Sequence, residues 1–462
     1  MNGSQVSPRS ISANQLRAAL DDVGVSARPD YLPDIVAQAG HTRQRPAWTF
    51  PERWLGMDIA MRRQSPRAAV VLAALLLLVA LLVAGIIYVG SRVTPPVRLL
   101  GLPTDPGTWE RVPIELPSGR TGRVTSLAAT ARGSLALVQV GEVQAGPHEL
   151  FASTGGGSWV RVPPDAYPVM NHDRGDAIFG TDRGFLLSNG DIWFSADGFD
   201  WQLLATRTEN PDLAHGEMQR VAAGGPGYVA VGNNNSTWYS TDGSDWTLAQ
   251  VQPPPAEFLE SQGFTAPEWG MDGLAVAGDK LVAWGNASQF EGENPIGLKQ
   301  IGLMWTSRDG RSWSNVPYVL GASDNEGPGA MAAGPRGFVA VFEDRNQLVF
   351  RASADGSTWE QVYSLGAARS TAADGTEFAL SVSSIAVSDA GFVAVGGFGE
   401  FCLFTCPPGE VVIWTSEDGR SWSRLPSDAR FARAGAHSVV AWGDRFVVGG
   451  TQDGEPVIWI SD

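Results

Sequence analysis

Length, composition and charge limit what this chain can be. It has 462 residues, 43% of them apolar, with 33 Lys and Arg against 49 Asp and Glu and a net charge of −16. The length exceeds one ordinary domain unless the chain is a repeat array, and the acidity argues against nucleic acid as a partner of the whole chain.

Residues 1–67 are predicted to form a basic cytoplasmic segment that is partly helical or disordered. They hold nine Arg and six acidic residues, which leaves the remainder of the chain with the whole negative charge. The segments Ser12–Asp22 and Pro29–Ala39 have the pattern of two short helices, with Ser12 as an N-cap.

The run from His41 to Trp54 mixes basic and aromatic residues. It resembles juxtamembrane stretches of bacterial membrane proteins associated with extracytoplasmic-function sigma factors, which implies a sigma factor or another cytoplasmic protein as a partner. The chain departs from many anti-sigma domains because residues 1–67 contain no cysteine for their zinc cluster. The alternative is an interfacial stretch with Trp48 and Trp54 near the lipid headgroups.

Ala68–Gly90 contains no charged residue and is long enough to cross the ~30 Å hydrocarbon core of a membrane as a helix. A cleaved signal peptide is the alternative, but its apolar run is usually only about 7–15 residues. More arginines flank the segment on its N-terminal side (Arg53, Arg62, Arg63, Arg67) than on the other (Arg92, Arg98). We therefore expect a single-pass signal anchor in a bacterial cell membrane with a cytoplasmic N-terminus, a linker over 91–103 and an extracytoplasmic domain over 104–462.

The pattern Ser-x-Asp-Gly-x-x-Trp, called the box below, recurs in the outer part of the chain, with a degraded copy at Ser153–Trp159. Asp-Gly permits a tight turn, the carboxylate can accept N–H bonds from that turn, and Trp can pack the turn against a sheet. We therefore predict a structural role for the repeated residues Asp197, Trp201, Asp242, Trp246, Asp309, Trp313, Asp355, Trp359, Asp418 and Trp422.

Each box closes a unit of four short strands with alternating apolar residues, as in Val221–Trp246. Four strands per repeat are typical of a propeller blade. Trp109 ends a box-like segment without preceding strands, whereas the C-terminal run Val439–Asp462 has three strands and stops where a box would begin. The expected fold is an all-β, seven-bladed β-propeller with four-stranded blades, closed by N- and C-terminal strands sharing one blade. Six or eight blades are the alternatives.

The boxes resemble the Asp-box, or BNR, repeats of sialidase-like propellers, in which one more residue separates Asp from Gly. The resemblance covers about residues 101–462 and implies the fold, whereas many unrelated activities share the repeat. Sialidases of this family carry an early Arg-Ile-Pro motif, an arginine triad and a Tyr–Glu pair. Arg111-Val-Pro113 and Arg161-Val-Pro163 come nearest to the motif, but each follows a box Trp. We identify no catalytic residue, although paired carboxylates for glycoside hydrolysis stay open as an alternative.

The longest insertions, residues 250–271, 286–302, 366–381 and 397–410, fall on one face of the expected propeller. Long loops on a rigid scaffold often contain binding residues. The alternative is that these loops have lengthened without gaining a function, because long surface loops cost little stability. The candidate ligand-binding residues there are Phe258, Glu260, Trp269, Phe290, Glu291, Glu293 and Phe401. Aromatic and acidic side chains together suit a sugar, a peptide or a cationic partner.

Cys402 and Cys406 are the two cysteines of the chain. Outside the cytoplasm they are expected to form a local disulfide, with free thiols or a metal site as alternatives. We predict neither a metal nor a cofactor. The sequence favours a membrane-anchored propeller that binds a ligand or protein partner without catalysis and signals across the membrane. The alternative is a sialidase-like or other glycoside hydrolase.

Overall fold

A computed structural model describes residues 102–462, apart from 118–119, 142–145, 171–176, 291–297, 317–327, 345, 373 and 401–408. The predicted cytoplasmic segment and the predicted anchor Ala68–Gly90 lie outside the described residues. The helices within the described part are short, and none of them combines the length and hydropathy needed to cross a membrane.

The described residues form seven sheets of four or five strands. Blade one contains β2 (Gly122–Thr130), β3 (Gly133–Val140), β4 (His148–Ser153) and β5 (Val160–Arg161); blade two β6 (Ala177–Gly180), β7 (Phe185–Ser188), β8 (Ile192–Ser195) and β9 (Gln202–Ala205); blade three β10 (Met218–Gly224), β11 (Gly227–Gly232), β12 (Thr237–Ser240) and β13 (Thr247–Leu248); blade four β15 (Glu268–Ala277), β16 (Lys280–Phe290), β17 (Leu298–Ser307) and β18 (Ser312–Val316); blade five β19 (Ala330–Gly334), β20 (Gly337–Asp344), β21 (Gln347–Ser353) and β22 (Glu360–Ala367); blade six β24 (Glu377–Ser388), β25 (Gly391–Glu400), β26 (Glu410–Ser416) and β27 (Ser423–Arg424); and blade seven β28 (Ala434–Trp442), β29 (Arg445–Gln452), β30 (Glu455–Ser461) and β1 (Trp109–Pro113).

Two blades carry a fifth strand. In blade four, β14 (Gln250–Val251) pairs in parallel with β18, and in blade six, β23 (Arg369–Thr371) pairs with the inner strand β24. The remaining elements are one short helix, α1 (Ala256–Ser261), and 3-10 turns at Pro106–Thr108, Pro211–His215 and Ala429–Phe431.

The first strands of the blades form a closed ring. They contact one another in the order β2, β6, β10, β15, β19, β24, β28 and back to β2. A separate hydrophobic cluster fills each of the seven interfaces between neighbouring blades. The seven-bladed architecture predicted from the repeats is thus confirmed by the strand pairing.

Blade seven joins the two ends of the described chain. Strand β1 pairs antiparallel with β30, from Trp109 opposite Ser461 to Pro113 opposite Val457. The Arg430 guanidinium, from the connection before β28, donates hydrogen bonds to the carbonyls of Pro106 and Trp109. The ring is therefore closed by backbone pairing and by a side chain that holds the incoming segment.

The connections define two faces. The turns between first and second strands share one face with the box turns between third and fourth strands, which we call the box-turn face. The connections between second and third strands, and those between blades, share the other, which we call the long-loop face. Leu102 packs beside Gly391 in the first turn of blade six, so the chain enters the propeller at the box-turn face.

Candidate functional site at the channel

The five intact boxes form turns with the same hydrogen bonds. In the blade-four box the Ser307 hydroxyl accepts from the Gly310 N–H at 2.9 Å, Asp309 accepts from two backbone N–H groups, and the Trp313 indole N–H donates to the Gly310 carbonyl at 3.2 Å. The backbone N–H bonds, led by that of Ser312, lower the pKa of Asp309. The Asp carboxylates of the boxes therefore accept hydrogen bonds within their own turns.

The box glycines adopt a φ between 67° and 90°. At most of them, an added Cβ would meet a residue of a neighbouring blade. A side chain at Gly310 would lie 2.5 Å from Val229 of blade three, and one at Gly356 would lie 2.3 Å from Val282 of blade four. In the degraded box, the Ser153 hydroxyl still accepts a hydrogen bond from the Gly156 N–H. The Trp159 indole N–H has no hydrogen-bond partner among the described residues. The boxes therefore stabilise their turns and pack them against neighbouring blades.

A channel runs through the ring and is lined by the inner strands of all seven blades, together with Trp284. It encloses about 470 Å³. Its lining is largely small and apolar, with Ser126, Arg220, Ser383, Ser384 and Ser438 as polar exceptions. Three of these serines bond the next blade: Ser383 donates to the Ala436 carbonyl at 2.8 Å, Ser384 accepts from the Val439 N–H at 3.1 Å, and Ser438 accepts from the Leu127 N–H at 3.2 Å.

Among the described residues, five of the seven inner strands contain a β-bulge at or just before the residues that line the channel. The pairing of each inner strand with the second strand of its blade slips by one residue, which places Thr125, Gln219, Asp272, Ser383 and His437 in the bulges. A bulge changes the direction of the side chains around it, and bulges are over-represented beside active sites. The bulges thus put one polar residue on each of five inner strands beside the channel, and of these five Ser383 is among the residues that line it; the sequence analysis missed this feature.

A glycine faces four of the five bulges from the second strand. A Cβ at Gly285 would lie 1.9 Å from the Gly270 carbonyl oxygen, and one at Gly396 would lie 1.8 Å from that of Ser381. Gly232 and Gly450 have equivalent contacts at 2.0 Å. In blade five, which has no bulge in its described inner strand, Phe342 stands at the corresponding position. These glycines were the available sequence signal for the bulges.

The charged groups near these bulges are partly shielded. Burial lowers the pKa of Arg220, although the Asp272 carboxylate opposes that shift, and burial raises the pKa of Asp272 against the effect of Arg220. Both residues keep solvent-exposed surface, but the surrounding strands still weaken the hydration of their charged groups. Burial and the Arg123 guanidinium lower the pKa of His437 to about 4, so its imidazole is neutral at pH 7.

The candidate residues on the long loops have differing environments. Phe258, in α1, and Trp269, in β15, pack against the core between blades three and four, and Trp269 stacks on Trp305 with ring centroids 5.4 Å apart. Glu260 is exposed, and Phe290 is 61% exposed at the end of β16. The structure therefore places Phe258 and Trp269 together in one cluster and leaves Phe290 and Glu260 on the surface.

Glu291, Glu293, Phe401, Cys402 and Cys406 lie outside the described residues, so the predicted disulfide and these candidate contacts stay predictions. Within the described part, no group of three or more His, Cys, Asp or Glu side chains is arranged to hold a metal ion. Of the five bulged residues, Asp272 alone is acidic.

No family model and no curated protein matches this chain. Among solved structures, a Trypanosoma rangeli sialidase in complex with 2,3-difluoro-KDN is 12% identical, with a TM-score of 0.38, over 78% of this chain and 58% of the sialidase. A Penicillium chrysogenum α-L-arabinanase complexed with arabinobiose is 12% identical, with a TM-score of 0.36, over 76% of this chain and 96% of the arabinanase. The six-bladed fucose-recognising Aleuria aurantia lectin is 13% identical, with a TM-score of 0.36, over 74% and 91%.

The chain thus spans 58% of the length of the sialidase it matches, and all of these likenesses are remote. Proteins with propeller folds have many unrelated functions, so such likenesses do not identify an activity. The seven-bladed fold of this chain follows from its own strand pairing, and its function has to be argued from the channel.

Proposed function

We propose that this chain is a single-pass, membrane-anchored bacterial propeller of the Asp-box type that binds a ligand outside the cytoplasm without catalysis. The observation that carries the proposal is the set of five bulges around the long-loop end of the channel. They place one polar residue on each of five inner strands, at or next to the residues that line the channel, and Arg220 and three serines beside the bulges line it together with the bulged Ser383. Such convergent polar groups around a largely apolar cavity are typical of ligand sites.

The chemistry of the opening supports binding over glycoside hydrolysis. Most glycosidases place two carboxyl groups on either side of the scissile bond, about 5–10 Å apart. The bulges provide one carboxylate, Asp272, and its Oδ2 accepts a hydrogen bond from the Asn286 amide. The glycosidase remains the second candidate because the catalytic acids of such an enzyme can also come from loops.

The anchor is supported by the uncharged segment Ala68–Gly90 and by the point at which the chain enters the propeller. Leu102 reaches the ring at the box-turn face, so the incoming chain and the proposed ligand site belong to opposite ends of the channel.

Thermal unfolding of the full chain in detergent tests the binding function. The protein is screened against sugars, amino acids, short peptides and small anions, and ligands that raise Tm are repeated on Arg220→Gln and Asp272→Asn. Arg336→Gln, an exposed change on the box-turn face, is the matched control. We expect ligands that stabilise the wild type and the control but not the two channel variants. Equal stabilisation of all four proteins, or no stabilising ligand, would refute the proposed site.

A screen with aryl glycosides, sialosides included, separates the second candidate from the first. A binding protein gives no turnover. Turnover that disappears in Asp272→Asn would establish a hydrolase and overturn the proposal.

The cytoplasmic segment would extend the proposal to signalling. Residues 1–67 are used to capture sigma factors from bacterial extract, with a variant carrying Trp48→Ala and Trp54→Ala as the control. Specific capture by the native segment is expected for a signalling protein, and absence of any bound cytoplasmic protein would remove this extension.

A further inference from the structure

Two opposite charges lie on neighbouring inner strands, each at or next to a bulge, and they are close enough to interact. Arg220 follows the bulge of β10, and Asp272 is the bulged residue of β15. Among the described residues the two side chains bond to other partners: Arg220 Nη1 donates to the Gln219 carbonyl at 2.7 Å, and Asp272 Oδ2 accepts from the Asn286 amide at 3.0 Å. Several guanidinium N–H groups and one carboxylate oxygen are thus left for a bound molecule.

An aromatic ring stands beside this pair. The residue after Asp272 is Gly273, and a Cβ there would lie 2.0 Å from Cε2 of the Trp284 indole. Because Gly273 has no side chain, the Trp284 indole has room beside it. The indole lines the channel together with Arg220. The face of an indole ring attracts ammonium groups, most strongly where water is partly excluded.

The surroundings strengthen the interaction of these groups with a charged ligand. Both Arg220 and Asp272 keep exposed surface, while the strands around the channel weaken their hydration in the direction that their pKa shifts indicate. A charge that is partly desolvated gains more from a direct partner than a charge in open water. A molecule with one charge would form a charge-assisted interaction with one of the two side chains and none with the other.

We propose that the channel binds a small zwitterion in which a carboxylate and an ammonium group are a few bonds apart, as in an α-amino acid or its N-methylated forms. The carboxylate accepts hydrogen bonds from the Arg220 guanidinium. The ammonium group faces the Asp272 carboxylate and the Trp284 indole. This inference rests on the proposed binding function and names the ligand class of the same site.

Isothermal titration of the full chain tests the ligand class. The probes are glycine and N,N,N-trimethylglycine, with acetate and choline as single-charge controls. We expect at least one zwitterion to bind about tenfold more tightly than both controls, because its carboxylate accepts charge-assisted hydrogen bonds from Arg220 while its ammonium group is attracted to Asp272 and Trp284. Zwitterions that bind no better than acetate and choline would overturn the inference.

Matched variants test the assignment of the groups. Arg220→Gln and Asp272→Asn should each weaken zwitterion binding about tenfold or more. Gly273→Ala should also weaken it by displacing the indole, whereas Gly270→Ala, in the same strand with its nearest atoms 3.9 Å away, should leave binding unchanged. Unchanged binding in the Arg220 and Asp272 variants would overturn the assignment even if Gly273→Ala fails to fold.

The two proposals fail in different ways. If other molecules bind in a manner that depends on Arg220 while zwitterions do not, the ligand class is wrong and the binding function stands. If nothing binds at the channel, the binding function itself is wrong.

Discussion

At the scale of single residues, His437 shows how the fold lowers the pKa of a buried imidazole. It occupies the bulge of β28, and its Nε2 is buried without a hydrogen-bond partner among the described residues. Burial and Arg123 lower its pKa from the ordinary 6.5 to about 4. The unfolded chain therefore binds a proton on this residue at a higher pH than the folded chain does, and the folded state is favoured where the imidazole is neutral.

His437→Gln should consequently remove a pH-dependent part of the stability. The stabilisation by neutral His437 is complete above about pH 6.5 and is lost as the pH falls toward 4, at a cost of about 2–3 kcal/mol in the free energy of unfolding. Urea unfolding of both proteins at pH 7, 5.5 and 4 measures the difference. Parallel pH profiles for wild type and variant would show that His437 is not held neutral by the fold.

The box tryptophans provide a second test at this scale. Trp313 is 2% exposed and lies in the core between blades three and four, so Trp313→Ala should lower the free energy of unfolding by about 3–5 kcal/mol. Trp359 has the same place in its own box but is only partly buried, so Trp359→Ala should cost less. Equal or negligible losses in the two variants would contradict a packing role for the box.

At the scale of the strand, the bulges require glycine on the facing strand. Gly396→Ala would push a methyl group to within 1.8 Å of the Ser381 carbonyl oxygen, whereas the nearest atom to a Cβ at the adjacent Gly397 is 3.8 Å away. We expect Gly396→Ala to destabilise by about 1–3 kcal/mol, as overpacking does, and Gly397→Ala to have little effect. Chemical denaturation of the pair measures this, and similar stabilities would mean that the bulge in blade six does not need glycine.

Elements of this fold differ in how well the sequence predicts them. The strands and boxes were predictable because alternation and the Asp-Gly turn leave direct patterns, as in Val221–Trp246. A bulge shifts the register by one residue and leaves no such pattern, so Arg220 and Asp272 did not stand out as site residues. The glycine at the end of the second strand was visible, but its meaning depended on a backbone contact across the sheet.

The site was harder to predict than the strands for a related reason. Phe258 and Trp269 were chosen because aromatic residues in long loops often bind ligands, and the structure places them against the core between blades three and four. Trp284 has the pattern of a buried strand residue, but Gly273 allows its ring to reach the channel. Recognising this needs the pairing of two strands, which hydrophobic periodicity does not give.

At the scale of the whole molecule, the channel exists only because the ring closes. Strand β1 completes blade seven, and the Trp109 side chain is buried in the cluster between blades six and seven. The Asp462 N–H donates to the Thr108 carbonyl at 2.9 Å, and the Trp459 indole N–H donates to the Arg430 carbonyl at 3.0 Å. The channel and the proposed site at its long-loop end therefore depend on this junction.

Hydrogen exchange of the full chain tests ring closure most directly. Paired amides in the ring are expected to exchange by cooperative opening of the structure, whereas amides of an undocked segment exchange rapidly. The account predicts that hydrogen-bonded amides of β1, Trp109–Pro113, exchange as slowly as those of β30, Glu455–Ser461. Rapid exchange across β1 beside a protected β30 would contradict the closed ring, and with it the channel on which the proposed function rests.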